Sequence, residues 1–167
     1  MRSRSGQTPR VISVRARFAL HGLCYLAKSP AGETTSFPRL FALLQGYSGD
    51  LALSRTYVAK VFQDLSRAGL VRAVPGRKGG YRLARQAGEV TVLDVVGAMD
   101  RAPSGDCCLL ADGSCPVKES CGVGSVLERA EKAFFGVLGK QTIESLARKM
   151  ALPLPARTAA RRPARRR

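Results

Sequence analysis

The chain has 167 residues, of which 45% are hydrophobic and 6% aromatic, and it carries a formal net charge of +16. That length suits one domain with extensions, or two small units sharing a core, and no apolar run approaches the length of a membrane span. The first ten residues are polar and lack the apolar stretch of a signal peptide, so the expectation is a cytoplasmic protein with no membrane partner.

The charge is unevenly spread. Residues 1–84 hold 14 basic residues against Glu33, Asp50 and Asp64, a net of +11. Residues 85–156 are near neutral, and the tail 157–167 adds six arginines and no acid. A basic first half points to a polyanion partner. The tail alone means little, because Arg-rich termini are often simply solvated.

In chain order, 1–12 reads as a flexible basic arm. Residues 13–28 place Val14, Phe18, Leu20, Leu23, Leu26 and Ala27 on one helical face, ended by Ser29 and Pro30. The lone Cys24 on that face is expected in the core. Ser36 is suited to cap a short second helix over 37–44, presenting Leu40, Phe41 and Leu44, with Gly46 and Gly49 breaking it. Ser54 caps the clearest helix: Val58, Val61, Phe62 and Leu65 recur at i, i+3, i+4 and i+7, and Gly69 supplies the stop. Its other face carries Arg55, Thr56, Lys60, Gln63 and Arg67. Two strand-like pieces, 70–74 and 81–84, flank a turn at 75–80 that holds three glycines, Arg77 and Lys78.

Three helices followed by a basic-tipped hairpin form a winged helix-turn-helix over 13–84. The third helix would enter the major groove of double-stranded DNA, with Ser54, Arg55, Thr56, Tyr57 and Lys60 near bases or phosphates. Arg77 and Lys78 at the hairpin tip would reach the backbone or minor groove. A solvated helix face is the plain alternative for any one of these cations. The charge asymmetry and the hairpin together favour DNA. The glycine-rich turn lacks any nucleotide-binding signature.

Residues 85–105 form a linker and a helix, in which Thr91 and Asp94 make a capping box ahead of Val92, Val95, Val96 and Met99. The loop 106–124 holds four of the five cysteines: Cys107, Cys108, Cys115 and Cys121. Gly113 and Pro116 oppose regular structure there, so the thiols are expected to converge across a loop, as soft-metal or iron–sulfur ligation requires. A reducing compartment favours that reading over disulfides. Beyond it, 125–150 reads as one long helix with Val126, Leu127, Ala130, Ala133, Phe134, Val137 and Leu138 on one face. A second copy of the chain is the economical cover for that face, making it a dimerisation helix. Burial against its own domain is the competing explanation. The tail 151–167 is expected to be disordered. The fold class is thus mainly α with a small β-hairpin wing: a winged helix-turn-helix plus a long C-terminal dimerisation helix.

From about Ile12 to Met150 the chain resembles the Rrf-type, IscR/NsrR-like family of bacterial winged-helix iron–sulfur transcriptional regulators. The resemblance is carried by residues 17–20 (Arg-Phe-Ala-Leu), 65–71, 76–83, the cysteines, and 133–135 (Ala-Phe-Phe). It implies a homodimer in which three loop cysteines hold a 2Fe–2S or 4Fe–4S cluster that tunes DNA binding, with Cys107 and Cys108 as alternatives for one position. Members with a histidine as fourth ligand place it three residues after the last cysteine, where this chain has Gly124. Members that borrow an aspartate from the partner's first helix would place it at Arg17. The remaining fourth-ligand candidates are the spare member of Cys107/Cys108, Asp106 or Asp112, and His21, one helical turn beyond Arg17. The segment 45–53 also looks longer than the family's usual turn between helices two and three.

The functional expectation is a DNA-binding regulator whose operator affinity follows redox, nitric oxide or iron–sulfur status. The alternative is a winged-helix regulator holding structural zinc, or using bare thiols as a redox switch. An enzyme is not expected, because no nucleophile motif, acid–base pair or cofactor-binding unit is present.

Overall fold

The computed structural model describes residues 12–30, 32–48, 53–77, 79–100 and 121–151. The expectations for the basic arm up to residue 11, the hairpin-tip Lys78, the cysteine loop up to residue 120 and the tail from residue 152 lie outside them.

Helix α1 spans Val14–Lys28 and starts where Ser13 accepts the N–H of Ala16 on its side-chain oxygen. Helix α2 is Phe37–Ser48. Helix α3 is Arg55–Arg67, capped by Ser54, whose hydroxyl accepts the N–H of Tyr57. At its C-terminal end Gly69 adopts φ 68°, a left-handed conformation open to glycine. All four residues of the periodic stripe on α3 (Val58, Val61, Phe62 and Leu65) are buried.

The wing is a two-stranded antiparallel hairpin, β1 (Val71–Val74) and β2 (Gly80–Leu83), with Val71 opposite Leu83 and Arg72 opposite Arg82. Each strand lies within a residue of the sequence expectation, and Ala84 still donates its N–H to the Leu70 carbonyl. Thr35 adds an unforeseen third rung, exchanging both backbone hydrogen bonds with Tyr81 at 2.9 Å. Gly80 permits this approach: a Cβ there would lie 2.2 Å from the Thr35 carbonyl oxygen.

A short 3-10 turn (Ala87–Glu89) leads into α4, Val92–Met99, where the Thr91/Asp94 capping box forms as expected. After the cysteine loop come α5, Gly122–Lys140, and α6, Ile143–Lys149. The single helix expected over 125–150 is therefore two. Its backbone leaves the helical ladder at Gln141 and Thr142 to pair with the strand-like residues before α4. Val92 donates to the Gln141 carbonyl and Ile143 to that of Val90, both at 2.8 Å. Thr142 and Ser145 then form a reciprocal cap that restarts the helix.

The break lets Ile143 and Ala147 join the core formed by α1, α2, α3, β1 and α4. For this C-terminal part the competing explanation holds, and its apolar face is buried against its own chain. Most of α5 stays outside the core: Val123, Val126 and Val137 are 67%, 62% and 61% exposed.

The second helix also departs from its expected end at Leu44, running through Gly46 to Ser48. Tertiary contacts outweigh the glycine. The Tyr47 ring lies 4.3 Å from that of His21 and 5.8 Å from that of Tyr25, and its hydroxyl donates to the Ala151 carbonyl at 2.8 Å. Helices α1 and α3 cross at Gly22, where a Cβ would lie 2.5 Å from the Phe62 ring. No helix among the described residues is long and apolar enough to cross a membrane.

Candidate nucleic-acid interface and cysteine site

The exposed side of α3 begins at its cap. The Ser54 oxygen accepts the Tyr57 N–H at 3.1 Å, and a hydroxyl that accepts can also donate. Arg55 is exposed, and its guanidinium carbon lies 5.1 Å from the centre of the Phe41 ring, a cation–π contact that limits the directions it can sample. Thr56, Lys60 and Gln63 are exposed. Arg67 is spent differently, paired with Asp64 at 3.1 Å. Tyr57 is half-buried, its ring edge-on to Phe18 with centroids 6.0 Å apart. Burial pushes its hydroxyl above the ordinary value; Arg15 opposes the shift and Asp100 adds to it more weakly. Arg77 is exposed at the wing tip.

Two cations of this surface were not legible as a pair in the sequence. Arg72 and Arg82 face one another across the hairpin. The opposite face of the strands is the packed one, since the Tyr81 ring lies 4.9 Å from that of Phe62. Among the described residues no carboxylate pairs with either arginine. Like charges directly opposite in a sheet repel, so this pairing costs stability unless a counter-charge covers it. Strand alternation alone would have put both on the outer face. Register made them neighbours, and that required the hairpin.

Of the four loop cysteines, Cys121 is the one described; Cys107, Cys108 and Cys115 lie outside the described residues. Cys121 is half-buried and caps α5, its Sγ accepting the Gly124 N–H at 3.3 Å. A sulfur at a helix start with an amide hydrogen directed at it is held in one orientation, as a ligand's outer hydrogen bonds hold it. Gly124, three residues after Cys121, supplies that N–H. Among the described residues no group of three or more His, Cys, Asp or Glu converges.

His21 is half-buried and packs against Tyr47. Burial and then the charge of Arg17 lower its affinity for a proton, and its Nδ1 has no hydrogen-bond partner among the described residues. Cys24 is core, as expected: its thiol faces the Ile143 carbonyl at 4.0 Å, and burial pushes it up to about 11.

The sequence profile of the Rrf2 family, described as "Iron-dependent Transcriptional regulator", matches residues 12–149. The chain belongs to the Rrf2 family. Its members are transcriptional regulators that bind DNA, and this Rrf2 protein is a regulator rather than an enzyme. It is similar to Protein aau3 of Rhizobium meliloti (strain 1021), 36% identical over 136 residues covering 81% of this chain and 83% of that protein. Among solved structures it is similar to CymR (YrzC), the global cysteine regulator of B. subtilis, with a TM-score of 0.63 at 24% identity, over 84% of this chain and 98% of that one. It is also similar to T. potens IscR, with a TM-score of 0.61 at 22% identity, over 87% and 96%. These two likenesses establish the winged-helix fold.

Proposed function

We propose that this Rrf2 regulator binds its operator with an affinity set by an iron–sulfur cluster held on Cys115, Cys121 and one of Cys107 and Cys108, and that it does so as a homodimer in the cytoplasm. The observation that carries the reading is Cys121: a half-buried thiol at the cap of α5, its sulfur already supplied with an amide hydrogen. Such a cluster supplies a centre that oxidants, nitric oxide or iron scarcity can alter or remove.

The chain's own residues do the rest. Cys121 joins the loop to α5, and the exposed valines of α5 offer an apolar face to a second copy, which would set two recognition helices at a fixed separation. Arg55, Thr56, Tyr57 and Lys60 read the major groove from α3, with Ser54 donating its O–H to phosphate. Arg77 and Lys78 neutralise the backbone at the wing tip. Arg72 and Arg82 extend that basic strip, and DNA phosphate supplies the counter-charge that the pair lacks among the described residues. Zinc, or bare thiols in a redox switch, is the second reading, favoured by a donor set of four thiols that also satisfies tetrahedral zinc.

Protein purified without oxygen separates the two. Visible absorption with stoichiometric iron and sulfide supports the cluster, whereas a colourless protein containing zinc supports the alternative. Cys115→Ser or Cys121→Ser should abolish bound iron, while either single change at Cys107 or Cys108 leaves part of it. Titrating an operator selected from random duplexes with loaded and chelator-stripped dimers, at one salt concentration, tests the coupling. The loaded form should bind about 5–150-fold more tightly, the usual span of such coupling. Equal affinities would rule out sensing.

A further inference from the structure

We propose that Asp100 is a positioning residue that carries the state of the cysteine loop to the recognition helix. The inference deepens the proposed function, resting on its premise that the loop is the sensing element. Asp100 closes α4 six residues before the loop, its own N–H donating to the Val96 carbonyl at 2.7 Å.

Its carboxylate reaches 87 residues back along the chain. One oxygen accepts the Ser13 N–H at 3.1 Å and the other accepts the Ser13 hydroxyl. Ser13 in turn caps α1, its oxygen accepting the Ala16 N–H at 3.0 Å. The first turn of α1 is joined to α3 at two places on one helical face. Arg15 pairs with Asp64, and Phe18 packs against Tyr57, seven residues before Asp64. The Tyr57 hydroxyl lies within the field of both Arg15 and Asp100.

The chain that leads into the loop is therefore fastened at Asp100, through Ser13, to the element that supports Tyr57. The other end of the loop is Cys121, the cap of α5. Gathering or releasing the thiols pulls on both anchors. A displacement at Asp100 moves the start of α1, and α1 takes the Tyr57 face of α3 with it. A carboxylate with two acceptor oxygens on one residue transmits direction as well as distance, which one hydrogen bond would not.

The test uses the full chain, anaerobically loaded and chelator-stripped, with hydrogen exchange followed over residues 14–18 and 55–62. In the wild type, loading should slow exchange in both segments by about 5-fold or more. In Asp100→Ala that dependence should vanish, while non-specific duplex affinity and bound iron stay. Asp100→Asn keeps one acceptor oxygen for Ser13 and should restore part of it, which a merely structural role would not produce. Ser13→Ala removes the hydroxyl half of the link and keeps the backbone N–H bond, without touching the loop; it should weaken the loading dependence, and decides the matter should Asp100→Ala lose iron or fold poorly. Loading-dependent exchange that persists in full in both alanine variants, or is absent from the wild type, overturns the proposal. Wild-type exchange that responds to loading while the two forms bind the operator equally would sink the sensing function and leave the Asp100 link standing.

Discussion

Helices α3 and α5 are both amphipathic, yet the same kind of pattern has opposite outcomes in them. On α3 every member of the apolar stripe is buried against α1 and its neighbours. On α5 the stripe is largely open: Val123, Val126 and Val137 are exposed, and Phe134 and Phe135 pair edge to face, 5.5 Å apart, while only half-buried. Helical periodicity tells which side of a helix avoids water, not which molecule covers it. The α3 stripe is satisfied within the chain. That of α5 is not, which is the ground for proposing a second copy as its cover.

Substitutions on the two helices should separate these roles. The largest loss is expected from Phe62→Ala, which empties a fully buried aromatic site and should cost about 3–5 kcal/mol by urea denaturation. Gly22→Ala comes next: its methyl would overlap the Phe62 ring, and forcing α1 from α3 should cost about 1–3 kcal/mol despite the better helix propensity of alanine. A stable Gly22→Ala variant would mean that the crossing is looser than its geometry implies. Thr142→Ala removes the cap that restarts the helix as α6 and should cost about 1 kcal/mol, with faster amide exchange at Ile143 and Ser145.

On α5 the expectation inverts. Val126→Asp or Val137→Asp should change the unfolding free energy of the isolated chain by no more than about 0.5 kcal/mol. Sedimentation should nevertheless show the dimer dissociating to monomer. Should either variant unfold the monomer instead, α5 would belong to the core.

The smallest effect concerns pH. Burial lowers the pKa of His21 from its ordinary 6.5, so the folded chain takes up that proton less readily than the unfolded one. This contribution to stability is complete above pH 6.5 and is lost as pH falls from there through the folded value. The urea midpoint of the wild type should therefore drop on acidification, and His21→Gln should show a shallower drop over the same range.

Local chemistry determined much of this protein before any fold was known. Ser13, Ser54 and Thr91 start helices where their side chains reach free backbone N–H groups, and Gly69 ends one where a left-handed residue is needed. The α3 stripe, the hairpin and the basic N-terminal half follow from spacing and composition, because each depends on residues within a few positions of one another. Tertiary structure decided the rest. Gly46 did not end α2, since Tyr47 packs on His21 and Tyr25 of α1. The helix expected over 125–150 broke because Gln141 and Ile143 found backbone partners at Val92 and Val90, fifty residues earlier. Thr142 with Ser145 was a readable cap, but helical periodicity running past it masked the signal. The Arg72–Arg82 pair and the Asp100–Ser13 link are likewise products of register and packing. Capping and periodicity act over a turn or two of chain, whereas which backbone groups and charges meet across 50 or 87 residues is fixed only when the whole core closes.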